Sequence, residues 1–237
     1  MEAATLAGWT VPVGLVGAYL IGSIPTGFLV VRVFTGKDLR TEHSGRTGGT
    51  NAFRSAGVIA GLLTGLGDLC KGVLAVLFVR AVSGGAAWLD AAAGILAVVG
   101  HNYSVFLLER VGSTIRLRGG AGGAPTVGMA TAFWGPSVLI ILPLSVVVFF
   151  GIGYASLTTL TMGLIALGIF LWRALSGFSP WEYVIAGIVV QAVLVISLRA
   201  NIERLLNGTE RLVGWRARLR DRKTRLTARA GEDGEGS

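Results

Sequence analysis

The chain has little of the chemistry on which disulfide scaffolds and metal sites depend. Its 237 residues include one cysteine, Cys70, and two histidines. A single cysteine cannot form an internal disulfide, and so few thiol and imidazole groups disfavour a metal cluster. No basic residue precedes the first apolar segment, so a cleaved secretory signal is not indicated. We therefore expect no metal and no cofactor, and we expect the first apolar segment to remain as a membrane span.

Charged residues are scarce as well. They make up 14% of the chain, against 52% apolar residues and a mean hydropathy of +0.68. Such a composition excludes an ordinary soluble domain and indicates an all-α integral membrane protein. A helix needs about 20 apolar residues to cross a bilayer, and a shorter one can be a broken or re-entrant piece. The predicted segments are residues 11–34, 58–82, 86–108, 124–134, 136–150, 156–172 and 181–198.

The distribution of basic residues predicts the topology. Lysine and arginine cluster at positions 37–54, at positions 110–118 and in the tail from position 199 to position 229. Basic residues near span ends collect on the cytoplasmic side, so all three clusters should be cytoplasmic. An even number of crossings must then follow the second cluster, which gives seven segments and an outer N-terminus. Because the segment 124–134 is short, five or six segments remain an alternative.

The tail divides from the membrane region by its composition. We predict a membrane domain over residues 1–210, a basic amphipathic helix on the membrane surface over residues 211–230 and a disordered end over residues 231–237. Arginines alternating with apolar residues are typical of a helix lying on anionic lipid. An acidic, glycine-rich end cannot bury enough apolar surface to fold.

A polar segment between the first two apolar segments is the most informative part of the sequence. Its glycines let a ligand approach the backbone amides, its hydroxyl and amide side chains add neutral hydrogen bonds, and its arginines can bind phosphate through two nitrogens. The segment therefore predicts a binding loop for a phosphorylated molecule at a membrane surface. The residues concerned are Ser44, Gly45, Arg46, Gly48, Gly49, Thr50, Asn51 and Arg54.

Two charges lie inside the second predicted span. Asp68 and Lys71 are three residues apart and therefore share a helix face. Pairing opposite charges is the least costly way to hold either of them in lipid. One interpretation is an internal ion pair that fixes helix packing, and the other is that Lys71 faces the phosphate site.

Two further polar groups follow. His101 lies near the end of the third apolar segment and precedes a turn in which glycines stand beside a cation. This arrangement offers backbone donors and charge to an oxyanion. The turn contains Arg118, Gly119, Gly120, Gly122 and Gly123. Asn201 and Arg204 open the tail one helical turn apart, so both can face the same surface.

Together these segments resemble the three motifs of the PlsY-type acyl-phosphate:glycerol-3-phosphate acyltransferases, small bacterial membrane enzymes of phosphatidic acid synthesis. Residues 22–25 and 44–54 are similar to the first motif, residues 100–122 to the second and residues 198–210 to the third. The resemblance implies seven membrane segments and a site at the cytoplasmic face of the bacterial plasma membrane. It also implies that a fatty acyl group passes from acyl phosphate to glycerol 3-phosphate, giving lysophosphatidic acid without coenzyme A.

Three positions depart from the family pattern. Ala121 stands where the family has a lysine, Leu198 where it has a histidine and Arg46 where it has an asparagine. Extra sequence also lengthens the stretch before the glycine turn. We hypothesise that Arg46, Arg116 or Arg118 supplies the cationic donor that Ala121 cannot.

The expected roles follow from the resemblance and from the residue types. We expect Ser44, Arg54, His101 and Asn201 to act in catalysis, chiefly by clamping phosphate and orienting substrates. An acyl phosphate is already activated, so positioning and charge stabilisation can carry the transfer without a covalent intermediate. The expected substrate-binding residues are Gly45, Arg46, Gly48, Thr50, Asn51, Lys71, Arg118, Gly119, Gly120, Gly122 and Arg204.

Two other functions remain open. A non-catalytic relative that binds phosphorylated lipids is favoured by Ala121 and Leu198. A small-anion transporter would also combine broken helices with cationic loops, but it should place its binding groups near the middle of the membrane. We expect the protein to act as a monomer in membrane lipid and not to bind nucleic acid.

Overall fold

The computed structural model describes residues 2–214, 216 and 217. Within this part of the chain, eight helices and one two-stranded hairpin follow one another. They are α1 (Glu2–Ser23), α2 (Thr26–Thr35), α3 (Gly49–Ser83), α4 (Ala87–Asn102), β1 (Ser104–Val111), β2 (Thr114–Arg118), α5 (Gly123–Phe133), α6 (Ser137–Ile152), α7 (Ala155–Leu175) and α8 (Trp181–Leu206).

The helices form an integral membrane bundle. Four of them are long and apolar enough to cross a bilayer, namely Trp9–Thr35 (α1 with α2), α3, α7 and α8, and α6 is a shorter apolar helix. Many large apolar side chains lie on the outside of the bundle, as lipid contact requires. If α1 and α2 are counted as one broken segment, the described residues form seven helical segments. The predicted all-α membrane class is thereby confirmed.

The break between α1 and α2 has a local cause. Pro25 has no backbone N–H to donate and disfavours a helical conformation in the residue before it. The carbonyl oxygen of Ile24, released from the helix, accepts a hydrogen bond from Lys71 Nζ at 2.9 Å. A charge inside the bundle thus satisfies the backbone group that the break exposes.

The short helix α5 lies inside the bundle. It packs against α3, α6 and α7, and most of its residues are buried. Its contact with α3 is very close, since a Cβ atom on Gly128 would collide with the carbonyl oxygen of Leu69. Small residues of this kind permit such approach between membrane helices. The predicted short segment 124–134 is therefore present, one residue earlier than expected.

The predicted span 86–108 is wrong at its C-terminal end. Helix α4 stops at Asn102, and the next residues form β1, which pairs with β2 in an antiparallel hairpin. The sequence Val-Phe-Leu-Leu after Ser104 suits a strand as well as a buried helix, and an apolar run of that length does not distinguish the two.

The polar loop is shorter than predicted because α3 starts at Gly49, well before the expected residue 58. Gly57 interrupts the helix with a φ of +87°, a conformation that glycine adopts without steric cost. Residues 49–56 therefore form a separate first section of α3, which carries Thr50, Asn51 and Arg54. Helix α8 likewise runs beyond the predicted end at residue 198 and carries Asn201 and Arg204.

The predicted surface helix over residues 211–230 lies mostly outside the described residues, and the predicted disordered end over residues 231–237 lies wholly outside them. Residues 211–213 continue without helical structure across the end of the bundle. The backbone N–H of Val213 donates to the carbonyl of Gly153 at 2.8 Å, between α6 and α7.

Candidate active site

A cavity of about 630 Å³ lies at one end of the bundle, where the polar loop, the glycine turn, the α6–α7 connection and the end of α8 meet. Ten of the fifteen predicted site residues line it, together with residues that the sequence did not indicate. The lining residues from the N-terminal half of the chain are His43, Ser44, Arg46, Gly48, Gly49, Thr50, Asn51, Arg54, Gly65, Asp68 and His101. The lining residues from the C-terminal half are Ala121, Gly122, Gly123, Ala124, Leu142, Ser145, Val146, Phe149, Ala155, Ser156, Thr158, Thr159, Met162, Leu198, Ala200, Asn201, Arg204, Glu210 and Arg211.

Three helices begin at this cavity. The first residues of α3, α5 and α7 (Gly49, Gly123 and Ala155) all line it. A helix N-terminus carries unpaired backbone N–H groups and a partial positive charge, both of which favour an anion. None of these three helices has a side chain bonded to its N-terminal amides as a cap. The cavity is therefore suited to negative charge even before its arginines are considered.

Arg46 reaches across the cavity from the polar loop to α8. Its Nη1 donates to the carbonyl of Gly120 at 3.1 Å and to Ser197 Oγ at 3.2 Å, and its Nη2 donates to the carbonyl of Ser197 at 2.5 Å and to Asn201 Oδ1 at 3.3 Å. All four acceptors are neutral. Burial, followed by the positive charge of Arg204, lowers the pKa of the Arg46 guanidinium from its usual value. Among the described residues, its positive charge therefore has no counterion in direct contact.

Arg54 is a second cavity cation that has no acidic partner in the part of the chain that the structure describes. Within the described residues, neither Arg54 nor Arg46 has a carboxylate within 4.0 Å. With the described residues, Arg54 Nη2 makes only a long hydrogen bond of 3.4 Å, to the carbonyl of Leu212. Two arginines in this state are available to pair with the charge of a ligand.

Glu210 organises the opposite wall. Its carboxylate accepts hydrogen bonds from Asn201 Nδ2 at 2.8 Å, from Arg204 Nε at 3.0 Å and from Ser156 Oγ at 3.2 Å. This buried acid therefore joins the end of α8 to the start of α7. Asn201 and Arg204 lie together as predicted, and Asn201 also contacts Arg46 through its amide oxygen. The predicted site lacked Glu210, although the third motif contains it.

The polar loop is held by the side chain of Asn51. Its buried Nδ2 donates to the carbonyls of Arg46 at 2.8 Å, Glu42 at 3.1 Å and Leu39 at 3.3 Å. Asn51 thus uses its amide donors to shape the loop, in addition to lining the cavity. Ser44 is more exposed, and its hydroxyl accepts a bond from the backbone N–H of Arg46 at 3.4 Å. Thr50 lies in the first turn of α3, at the cavity.

His101 belongs to a buried charge cluster at the floor of the cavity. Its Nδ1 lies 3.5 Å from Asp68 Oδ1, and Asp68 forms an ion pair with Lys71 at 2.9 Å. Asp68 and His101 line the cavity, but Lys71 does not. Lys71 therefore lies outside the cavity lining, in the internal ion pair that the other interpretation described. Its ammonium group is used by Asp68 and by the carbonyl of Ile24.

The glycine turn packs tightly against the end of α4. A Cβ atom on Gly120 would collide with His101 Nε2, and one on Gly119 would collide with the carbonyl of His101. Gly122 has a φ of +94° and precedes α5, and it lines the cavity. Gly119 and Gly120 do not line it. Their carbonyls instead accept bonds from the polar loop, from Thr47 N at 3.2 Å and from Arg46.

Arg118 and Gly45 also lie outside the cavity lining. The Nε of Arg118 donates to Glu109 Oε2 at 2.6 Å, so its charge is paired within the hairpin. Gly45 adopts a φ of +67° beside Arg118 and the carbonyl of Arg40. Of the three cations considered as replacements for the missing lysine, the structure brings only Arg46 to the cavity, because Arg116 lies exposed on β2.

An apolar arm extends the cavity between α6 and α7. Leu142, Val146 and Phe149 recur along one face of α6, and Met162 lines the arm from α7. Three hydroxyl-bearing residues also line it, namely Ser145, Thr158 and Thr159. The sequence did not indicate this part of the site. Apolar residues in a membrane span carry no signal that separates a ligand channel from lipid contact or from helix packing.

The side chains that commonly bind metal ions are dispersed. Among residues 2–214, 216 and 217, no group of three or more histidine, cysteine or acidic side chains is arranged to hold a metal ion.

Comparison with known proteins identifies the family. Residues 13–208 match the family model described as glycerol-3-phosphate acyltransferase. The chain is 39% identical over 211 residues to glycerol-3-phosphate acyltransferase 2 of Moorella thermoacetica, covering 86% of this chain and 97% of the relative. It is 38% identical over 218 residues to a glycerol-3-phosphate acyltransferase of Thermus thermophilus, covering 91% of this chain and 100% of the relative.

The fold agrees with this match. The crystal structure of PlsY (YgiH), described as an integral membrane glycerol 3-phosphate acyltransferase in its glycerol 3-phosphate form, superposes with a TM-score of 0.74 at 30% identity, covering 86% of this chain and 96% of that one. Its lysophosphatidic acid form superposes with a TM-score of 0.72 at 28% identity, covering 86% and 95%. Sequence, fold and the composition of the cavity agree, and the chain belongs to the glycerol-3-phosphate acyltransferase family of integral membrane proteins.

Proposed function

We propose that this protein transfers a fatty acyl group from acyl phosphate to a hydroxyl of glycerol 3-phosphate, releasing lysophosphatidic acid and inorganic phosphate. The relatives carry the name of this acyltransferase, and solved relatives are described as glycerol 3-phosphate and lysophosphatidic acid forms. The names of the relatives do not specify the acyl donor. We infer acyl phosphate as the donor from the family resemblance.

The observation that carries the proposal is the division of one cavity into two chemically different parts. One part combines three helix N-termini with Arg46 and Arg54, which have no acidic partners among the described residues. The other part is the apolar arm between α6 and α7. An acyl phosphate has the same division, with a charged end and a hydrocarbon chain. The polar part also has enough cationic groups to hold the phosphate of the acceptor.

The chemistry requires positioning more than activation. The acceptor hydroxyl oxygen attacks the acyl carbonyl carbon, the bond from that carbon to the phosphate oxygen breaks, and phosphate leaves. The hydroxyl proton passes to a phosphate oxygen, whose pKa near 6 makes it a sufficient base. Arg46, Arg54 and the helix N-termini stabilise the negative charge that develops on the carbonyl oxygen and on the leaving group. Ser44, His101 and Asn201 orient the substrates by hydrogen bonds.

We also propose on which side of which membrane the cavity lies, and that the protein acts as a monomer. The basic clusters favour a cytoplasmic position for the cavity end of the bundle, in a bacterial plasma membrane. The protomer contributes every residue named in the mechanism, which supports activity as a monomer.

The proposal is tested with purified protein in detergent. Given palmitoyl phosphate and glycerol 3-phosphate, the protein should release lysophosphatidic acid and phosphate in equal amounts. Palmitoyl-coenzyme A in place of palmitoyl phosphate should give no product, and the Arg54→Ala variant controls for a contaminating enzyme. Binding of lysophosphatidic acid without turnover would instead identify a non-catalytic relative.

A further inference from the structure

The β1–β2 hairpin has one apolar face that no described part of the protein covers. In its register Leu108 pairs with Leu117, and Arg110 pairs with Ile115. Paired residues of an antiparallel ladder point to the same side, and successive residues point to opposite sides. Leu108, Ile115 and Leu117 therefore form one face, which we call the apolar face. Their exposed fractions are 52%, 72% and 37%.

The opposite face carries the charges, and its part nearest the bundle lies beside the polar loop, whereas Val111, Thr114 and Arg116 on the same face are exposed. Glu109 pairs with Arg116 in the register and forms an ion pair with Arg118. Glu109 is also close enough to Arg40 for their charges to interact, and the guanidinium of Arg118 lies beside Gly45. Glu109 and Arg118 on this face are thus directed at the polar loop. The apolar face is consequently directed away from it.

We propose that the apolar face inserts into the interfacial layer of the bilayer, so that the hairpin lies flat on the membrane beside the cavity. The hairpin is continuous with the lipid-facing surface of the bundle. Ser104 Oγ, at the start of β1, donates to the carbonyl of Ser23 at 2.5 Å, where α1 ends. The neighbouring apolar side chains Leu20 and Ile24 are 40% and 43% exposed.

The charge on the apolar face suits the same location. Arg110 shares this face with Ile115. A long arginine side chain can keep its stem among acyl chains while its guanidinium reaches lipid phosphates. An apolar face bordered by a cation is the pattern of interfacial segments that lie in the plane of the membrane. The three large apolar residues then gain the contact with hydrocarbon that the protein does not supply.

Two neighbouring positions of β2 provide the test. Ile115→Cys and Thr114→Cys are made separately in a Cys70→Ser background, because Cys70 is exposed. Each protein is spin-labelled and reconstituted into nanodiscs that contain phosphatidylglycerol. Collision rates of the label with oxygen, which concentrates in lipid, and with a neutral nickel chelate, which stays in water, are then measured. Thr114 is the matched control because it lies one residue away but on the charged face.

The ratio of oxygen to nickel collisions should be several-fold higher at position 115 than at position 114. A third label at Leu117→Cys should behave like position 115. Free access of nickel to position 115 would place the face in water and overturn the proposal, leaving a soluble protein partner as its occupant. Equal ratios at the two neighbouring positions would overturn it as well. The measurement uses no substrate, so its outcome is independent of the proposed acyl transfer.

Discussion

At the scale of single residues, Arg46 is the feature that sets this chain apart. Its guanidinium joins the polar loop to the carbonyl of Gly120 and to Ser197 and Asn201. Ala121 and Leu198, where the family resemblance leads one to expect a lysine and a histidine, are the neighbours of these contacts and line the same cavity. One arginine from the loop thus brings a cation to a region in which two polar side chains are missing.

We predict that Arg46→Ala lowers the rate of acyl transfer by about 100-fold or more. Losing one preorganised donor to a developing negative charge typically costs this much. Arg116→Ala, which removes an exposed cation of the hairpin outside the cavity, should change the rate by less than about threefold. Initial rates of phosphate release from palmitoyl phosphate measure both effects. Adding Ala121→Lys to Arg46→Ala should restore part of the rate, and undiminished activity of Arg46→Ala would remove this residue from the site.

At the scale of secondary-structure elements, α6 and α7 decide where an acyl chain can lie. Val146 lines the apolar arm and is 52% exposed, whereas its neighbour Val147 is 67% exposed and does not line the cavity. Two adjacent valines on one helix therefore differ in their contact with the cavity. Identical substitutions at these positions separate the effect of filling the arm from the effect of adding an aromatic ring to the helix.

We predict that Val146→Trp shifts the donor preference toward shorter acyl phosphates. The added ring occupies the arm, so transfer from palmitoyl phosphate should fall by about 10-fold while transfer from a donor with a much shorter chain falls less, as expected when a pocket is shortened by a few methylene groups. Competition between the two donors gives the ratio directly. Val147→Trp should leave that ratio unchanged. An equal loss with both donors at position 146 would mean that the arm does not hold the chain.

At the scale of the whole molecule, the polar groups are collected at one end of the bundle. The cavity receives the first turns of α3, α5 and α7 and the last turns of α4 and α8. A transporter is expected to place its binding groups near the middle of the membrane, reached alternately from both sides. The observed arrangement favours chemistry at one membrane surface, where a water-soluble acceptor and a membrane-bound donor can meet.

We predict opposite sidedness for the two ends of the bundle. Lys37→Cys, in the polar loop, and Phe178→Cys, between α7 and α8, are compared in a Cys70→Ser background in intact bacterial spheroplasts. A membrane-impermeant maleimide should label position 178 from outside and should label position 37 only after permeabilisation, because the basic loops are retained in the cytoplasm. Both side chains are largely exposed, so access through the protein does not limit the reaction. Labelling of position 37 in intact cells would reverse the proposed topology.

The sequence predicted the membrane class, the family and half of the polar residues that line the cavity, because each depends on local information. Apolar segments of spanning length, and glycines beside arginines and hydroxyl groups, can be recognised in a linear string. The short helix α5 could also be predicted, since the glycine and proline after Trp134 end it locally. The hairpin could not, because its apolar run is equally compatible with the end of a membrane helix.

The linear sequence thus determined what can be decided within one segment, namely which stretches enter lipid and which carry groups for binding phosphate. Only the tertiary structure decided which of those groups face one cavity. In the folded protein Lys71 forms an ion pair with Asp68, and Arg118 forms one with Glu109. Arg46 and Arg54 have no carboxylate partner among the described residues. The reason is electrostatic, because a cation is available to a ligand only when folding brings no acidic side chain within contact distance, and that depends on residues distant in sequence.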